Sequence, residues 1–271
     1  MVLIPYLTVI RFSGTEAGDF LHNQISADVL ALSNGESTFA CYCEPKGRVL
    51  ALMLVSRSND DYLVIMSGSL AASVAARMKI YVMRAKVDIE VLDSHEVVGV
   101  YSDDKPHAVD KQMASLPVPD SSKAFLVRPA MSTQNSAADE LDQWKLSELQ
   151  AGISWLCPET SGQFLPQMLG FDRLGAVNYR KGCYPGQEIV ARTHYLGKVK
   201  RHPRLVCSHA MICPNPLDKL GILSGDQSYA GVITDCVHRK DSGACILVVT
   251  RMDPDLIAEK IEYQGQEAKI Q

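Results

Sequence analysis

The sequence predicts an α+β chain that ends in a small β-barrel, and three observations carry that prediction. Residues 62–66, 97–101 and 125–127 are short apolar runs that read as strands, and they alternate with stretches of helical period such as 70–78, where Leu70, Val74 and Met78 share a face. After Gly197 the character changes to short β-rich runs at 204–207, 229–238 and 244–250, the last two joined by Arg239-Lys240-Asp241-Ser242-Gly243 as a hairpin turn. The 271 residues exceed a typical single domain, so two or three small domains are expected.

Taken in order, the opening M-V-L-I-P-Y-L-T-V-I lacks a cationic start and a small-residue cleavage site and stops at Arg11. It reads as a core strand, and no segment reads as membrane-spanning. Ser13 and Glu16 have capping-box spacing ahead of Phe20, Leu21 and Ile25, which predicts a helix over 14–25. Runs at 39–43 and 48–55 flank Glu44-Pro45-Lys46-Gly47 as a hairpin. Val87, Ile89 and Val91 alternate with polar residues as a strand does, and 103–123 is polar and proline-bearing, as a surface connection is. A helix over 139–150 carries Leu141, Trp144 and Leu149, and Gly152 ends it. Residues 153–179 mix turn residues with large apolar ones without a clean period, as a wall or lid packed by its own side chains would.

Composition narrows the function. At 46% hydrophobic and 21% charged the chain has ample core, and a net charge of −4 supplies no overall drive toward nucleic acid or anionic membrane. Such affinity must come from a local patch. Residues 180–204 are one: seven cations (180, 181, 192, 198, 200, 201, 204) stand against a single acid, Glu188. This strip, with Lys198, Lys200 and Arg201 at its centre, suits a polyglutamyl tail, a phosphate backbone or an acidic partner face, or simply a solvated edge strand. His194 and His202 flank its Lys198–Arg201 centre without other ligands at metal spacing, so no metal site is assigned. Eight cysteines form no C-x-x-C pair and are expected to be reduced thiols in a cytosol.

The most informative stretch is R-K-G-C-Y-P-G-Q-E-I-V-A-R, residues 180–192. Gly182 and Gly186 bracket a tight turn that Pro185 stiffens, and Q-E-I-V-A-R reads as a short helix behind it. Cys183 then sits just before a helix N-terminus among Arg180, Lys181 and Arg192, which favour a thiolate, while Glu188 opposes it. A small buried hydrophobe is the ordinary alternative for a free cysteine.

The residues Lys181, Gly182, Cys183, Tyr184, Gly186, Gln187, Glu188 and Arg192 resemble the signature of the YgfZ family of folate-binding proteins, relatives of the glycine-cleavage T-protein. The resemblance runs from about Phe12 to Arg201 and takes in Lys46-Gly47 and the F-L…Q-I-S-A-D-V segment. It implies two interleaved α+β domains and a C-terminal β-barrel around a central cavity: 1–29 with 97–118 and 156–195, 30–96 with 119–155, and 196–271. It implies a cytoplasmic protein that binds tetrahydrofolate or a derivative, with or without a polyglutamyl tail. That protein is an accessory factor for iron–sulfur cluster assembly or repair and for tRNA modification by iron–sulfur enzymes, with contact to tRNA indirect. Trp144 matches a family tryptophan of the folate site. The second such tryptophan has Leu7 at its matching position, beside Tyr6, and the family's E-A-G reads Q-A-G here, so Gln150 keeps hydrogen-bonding capacity without the charge. Two alternatives stand beside this reading: a tetrahydrofolate-dependent aminomethyltransferase, and a tRNA-binding module that uses the basic strip without folate.

Overall fold

The computed structural model describes residues 1–101, 114–131, 136–209, 213–239 and 243–270. In chain order its elements are β1 (Val2–Leu3), β2 (Leu7–Ser13), α1 (Ala17–Gln24), β3 (Ser37–Cys43), β4 (Val49–Ser58), β5 (Asp61–Ser67), α2 (Gly68–Val82), β6 (Asp88–Val91), β7 (His95–Tyr101), β8 (Ala114–Pro117) and β9 (Lys123–Pro129). Then follow α3 (Ala138–Gln150), α4 (Pro166–Leu169), α5 (Gln187–Tyr195), β10 (His202–Ser208), β11 (Lys219–Ser224), β12 (Gln227–His238), β13 (Ala244–Thr250), β14 (Lys260–Tyr263) and β15 (Gln266–Lys269).

The strands form three antiparallel sheets, in the orders β3-β4-β5-β2-β6, β1-β7-β9-β8 and β10-β13-β12-β11-β14-β15. The first sheet is the heart of the molecule. Its central strands β4 and β5 are buried on both faces, which explains why they read as continuous apolar runs rather than alternating ones. Leu70, Ala71, Val74, Ala75 and Met78 of α2 supply the helical stripe that packs on this sheet, while the four-stranded sheet touches it through β2·β7 and β4·β8. The C-terminal module is the six-stranded sheet with its own core of Val206, Leu220, Ile222, Ile233, Ile246 and Val248. Among the described residues no pairing joins β10 to β15.

Several local expectations change. The capping box at Ser13 and Glu16 does not form: α1 starts at Ala17, and Glu16 Oε2 instead accepts the backbone N–H of Lys86 at 2.7 Å, tying the helix start to a neighbouring segment. The 103–123 connection lies outside the described residues at 102–113, but 114–117 is a strand paired with β9. The Lys240–Ser242 part of the expected hairpin turn also lies outside them. The 153–179 segment is irregular, yet Trp155, Leu156, Phe164, Leu169 and Phe171 belong to the main core, so it is a wall and not a detachable lid. Cys207 is bonded to Cys245 and Cys213 to Cys236, where free thiols were expected; the β10–β13 register sets the first pair face to face, a proximity that spacing along the chain does not reveal. Cys41, Cys43, Cys157 and Cys183 are free. No helix among the described residues is long and apolar enough to cross a membrane.

Candidate functional site

Two constellations draw functional side chains together. The first is the loop that carries Cys183. Its lysine is a structural clamp: Lys181 Nζ donates to the carbonyls of His22 and, at 2.7 Å, Ile25, where α1 ends and its unpaired carbonyls favour a cation. Burial lowers the Lys181 pKa to about 8, against the opposing pull of Asp28. Asn178 Oδ1 accepts the N–H groups of Arg180 and Lys181 at 2.8 and 3.1 Å, and Gln187 Nε2 donates to the Lys181 carbonyl at 3.2 Å. Tyr184 is buried beneath the Lys181 ammonium, 5.3 Å from its ring centre.

Gly186 is the N-cap of α5 with φ +83°, and a Cβ there would lie 2.4 Å from the Glu44 carbonyl oxygen. Gly47, at φ +76°, faces it from the β3–β4 turn, so the Lys46-Gly47 pair serves both as a turn and as the seat of α5. Both glycines are therefore fixed by a left-handed backbone and a close approach. Gly186→Ala should destabilise the protein by about 2 kcal/mol or more, combining left-handed strain with the clash. Urea unfolding checks this, and a midpoint within error of wild type would contradict the packing described. The outcome of all these contacts is that Cys183, Glu188 and Arg192 stay exposed while their neighbours are pinned. His22 lies against the loop, with Nδ1 3.2 Å from Asp28 Oδ1; burial and then Lys181 lower its pKa.

The second constellation is buried. Glu148 on α3 is 1% exposed. Its Oε2 accepts the Tyr6 hydroxyl at 2.6 Å and its Oε1 accepts the Trp155 indole N–H at 3.1 Å. Burial lifts its pKa from the ordinary 4.5 to about 7, although both donors favour the charged form. The nearby Asp235 pushes it the same way. Asp235 sits where the β12–β13 register slips between Ile233 and Asp235, a bulge that aims its carboxylate inward. It pairs with Lys145 Nζ at 2.7 Å, so α3 is bridged to the C-terminal sheet. Burial raises the Asp235 pKa and Lys145 counters it. Tyr6, Lys145, Trp155 and Asp235 line a cavity of about 460 Å³, together with the Gly68-Ser69 start of α2 and Pro216.

The expected folate residues divide around this cavity. Trp144 is core: it is 1% exposed, its ring lies over Gly99, and Tyr101 and Phe125 meet it edge-on at 5.6 Å. Its indole N–H makes no hydrogen bond, although its nearness to Glu148 favours the carboxylate. Leu7 is buried in β2, paired with Ser67, while the adjacent Tyr6 faces the cavity. Gln150 is exposed on a separate hollow with Arg173 and Asp120. Lys198 and Lys200 are exposed and Arg201 half-buried, just ahead of the edge strand β10. No group of metal-ligating side chains occurs among the described residues.

Sequence reasoning missed Glu148, Lys145, Asp235 and the cavity-facing role of Trp155. One signal existed: Glu148 follows Trp144 by four residues, so it places an acid on the helix face that Leu141 and Trp144 make apolar.

Known proteins give the site its context. No family model matches the chain. A protein of Escherichia fergusonii named tRNA-modifying protein YgfZ is 26% identical over 273 residues, covering 90% of this chain and 84% of the relative. Its namesake in Klebsiella pneumoniae is 28% identical with the same coverage. An uncharacterized protein of Haemophilus influenzae is 30% identical over 195 residues, 71% of this chain and 68% of that one. The glycine cleavage system aminomethyltransferase T from Bartonella henselae superposes with a TM-score of 0.70 over 99% of this chain and 83% of its own, at 11% identity, a likeness of fold alone. With the 180–192 signature seated as described, the chain is similar along nine-tenths of its length to proteins named tRNA-modifying protein YgfZ, and it shares the fold of the glycine cleavage system aminomethyltransferase T.

Proposed function

We propose that the protein binds a tetrahydrofolate in the cavity beside α3 and acts as a folate-dependent accessory factor for iron–sulfur cluster assembly or repair, and through it for tRNA modification. The observation that carries the folate reading is the buried Glu148 between two hydrogen-bond donors at an aromatic wall. A pterin is a flat heteroaromatic ring with N–H donors along one edge. Tyr6 and Trp155, held from behind by Glu148, offer it rings, Asp235 offers a carboxylate, and about 460 Å³ lies within the usual range for small-molecule sites. These residues fit the group. When bound, a reduced folate supplies one-carbon chemistry; the chain's own part is to orient it and exclude water.

A carboxylate poised over the folate amine would favour one-carbon transfer, and Asp235 is the candidate. Its 2.7 Å pairing with Lys145 ties it up, which supports an accessory role over an aminomethyltransferase. In this reading the exposed Cys183 is the thiol offered to a partner, held out by the Lys181 and Gly186 anchors.

Titration with tetrahydrofolate, followed by intrinsic fluorescence, tests the binding. Quenching should be saturable, and because Trp155 and not Trp144 faces the cavity, Trp155→Phe should remove most of it. Saturable quenching that survives Trp155→Phe intact would move the ligand elsewhere, and no saturable binding at all would end the folate reading.

A further inference from the structure

Beyond the sequence strip, the fold adds a fourth cation from far along the chain. Pairing of His202 with Thr250 brings Arg251, just past β13, beside Lys198, Lys200 and Arg201. These four line a concavity of about 370 Å³ walled by Leu165, Met168 and Val199, with no acidic residue in its lining. None of the four makes an ion pair with a described residue. On a chain of net charge −4, this is a concentrated positive field.

Aromatic surface adjoins it. Thr193 and Gly197 line the same concavity, and the residues between them close α5 with an aromatic stack. His194 lies on Tyr179 with ring centres 3.8 Å apart and planes 14° from parallel, and Tyr195 stands edge-on to His194 at 4.7 Å while remaining 63% exposed. A polyglutamyl chain or an acidic protein face would use the cations and leave Tyr195 idle. A single strand of nucleic acid would use both, since its phosphates follow the positive groove and its unpaired bases stack on aromatic rings.

We propose that the Lys198/Lys200/Arg201/Arg251 concavity and the Tyr195 platform form a binding site for single-stranded nucleic acid. The site is independent of the folate cavity and stands whether or not a folate binds.

The test is fluorescence anisotropy of the full chain with a labelled single-stranded RNA of mixed sequence. DNA of the same sequence, the RNA duplex and poly-glutamate serve as comparison ligands. Log affinity should fall with log salt at a slope of roughly −3, about 0.7 for each of four phosphates, and Lys200→Ala or Arg251→Gln should flatten it by about 0.7. Tyr195→Ala should weaken binding about tenfold, within the range of losing one stacked base. All three side chains are on the surface, so unchanged thermal unfolding is expected and is to be verified alongside. Tighter binding of RNA than DNA, or the reverse, supports the site and names its ligand. The proposal is overturned if neither strand binds saturably, if duplex or poly-glutamate binds as tightly as the single strand, or if Tyr195→Ala leaves the affinity unchanged.

Discussion

Trp144→Ala should cost about 3–5 kcal/mol of stability, the loss typical of emptying a large aromatic site in a packed core. The indole is 1% exposed, Tyr101 and Phe125 meet it edge-on at 5.6 Å, and it lies over the Gly99 backbone. Gly99 belongs to β7, hydrogen-bonded to β1 on one side and β9 on the other, so the floor of the hole cannot move up to fill it. A rigid floor keeps the cavity open and puts the cost toward the upper end. Denaturant unfolding of Trp144→Ala beside Trp144→Phe measures it; Phe keeps most of the packing and should lose far less. A loss under about 1 kcal/mol in the alanine variant would show that the ring is not core, and would return Trp144 to candidacy as a ligand-stacking residue.

Glu148→Gln should remove a large part of the pH dependence of stability. The folded-state pKa of Glu148 is raised from the ordinary 4.5 to about 7, so the folded protein holds this proton over a range in which the unfolded chain has released it. The sign follows directly. The contribution is fully present below about pH 4.5 and is lost as pH rises through about 7, for a total near 3 kcal/mol. Gln is neutral at every pH and lacks this loss. The stability difference, wild type minus variant, should therefore decline between pH 4.5 and about 7.5 by about 3 kcal/mol and stay level beyond it. Taking the difference cancels the titrating groups that do not interact with Glu148. Parallel curves for the two proteins would mean that Glu148 is already ionised in the folded state near its ordinary pKa.

Much of the architecture was legible because local chemistry matched the fold. The alternation of apolar residues in 87–91, the helical stripe of Leu70, Val74 and Met78, and the Pro-Gly punctuation at 44–47 each rest on neighbours within a few residues, and each appears where expected. The motif of 180–192 was readable for the same reason: Gly186 does cap a helix that starts at Gln187. Where Glu16 and Lys181 point was not readable, because each bonds to backbone many positions away, at Lys86 and at His22 and Ile25.

The cavity shows the division most clearly. By itself the sequence determined that a strand-rich α+β chain would carry an unusual thiol loop followed by a basic strip, since period, turn chemistry and charge density are properties of neighbours. Only the tertiary structure decided that Tyr6, Lys145, Trp155 and Asp235 would meet at one cavity with Glu148 bonded behind Tyr6 and Trp155, that Trp144 would be spent on the core, and that Arg251 would complete the basic concavity. Tyr6 and Asp235 are brought together by sheet registers and a bulge that no local pattern encodes. The energetic weight of a buried carboxylate comes from the water it has lost, and burial is a property of the assembled fold.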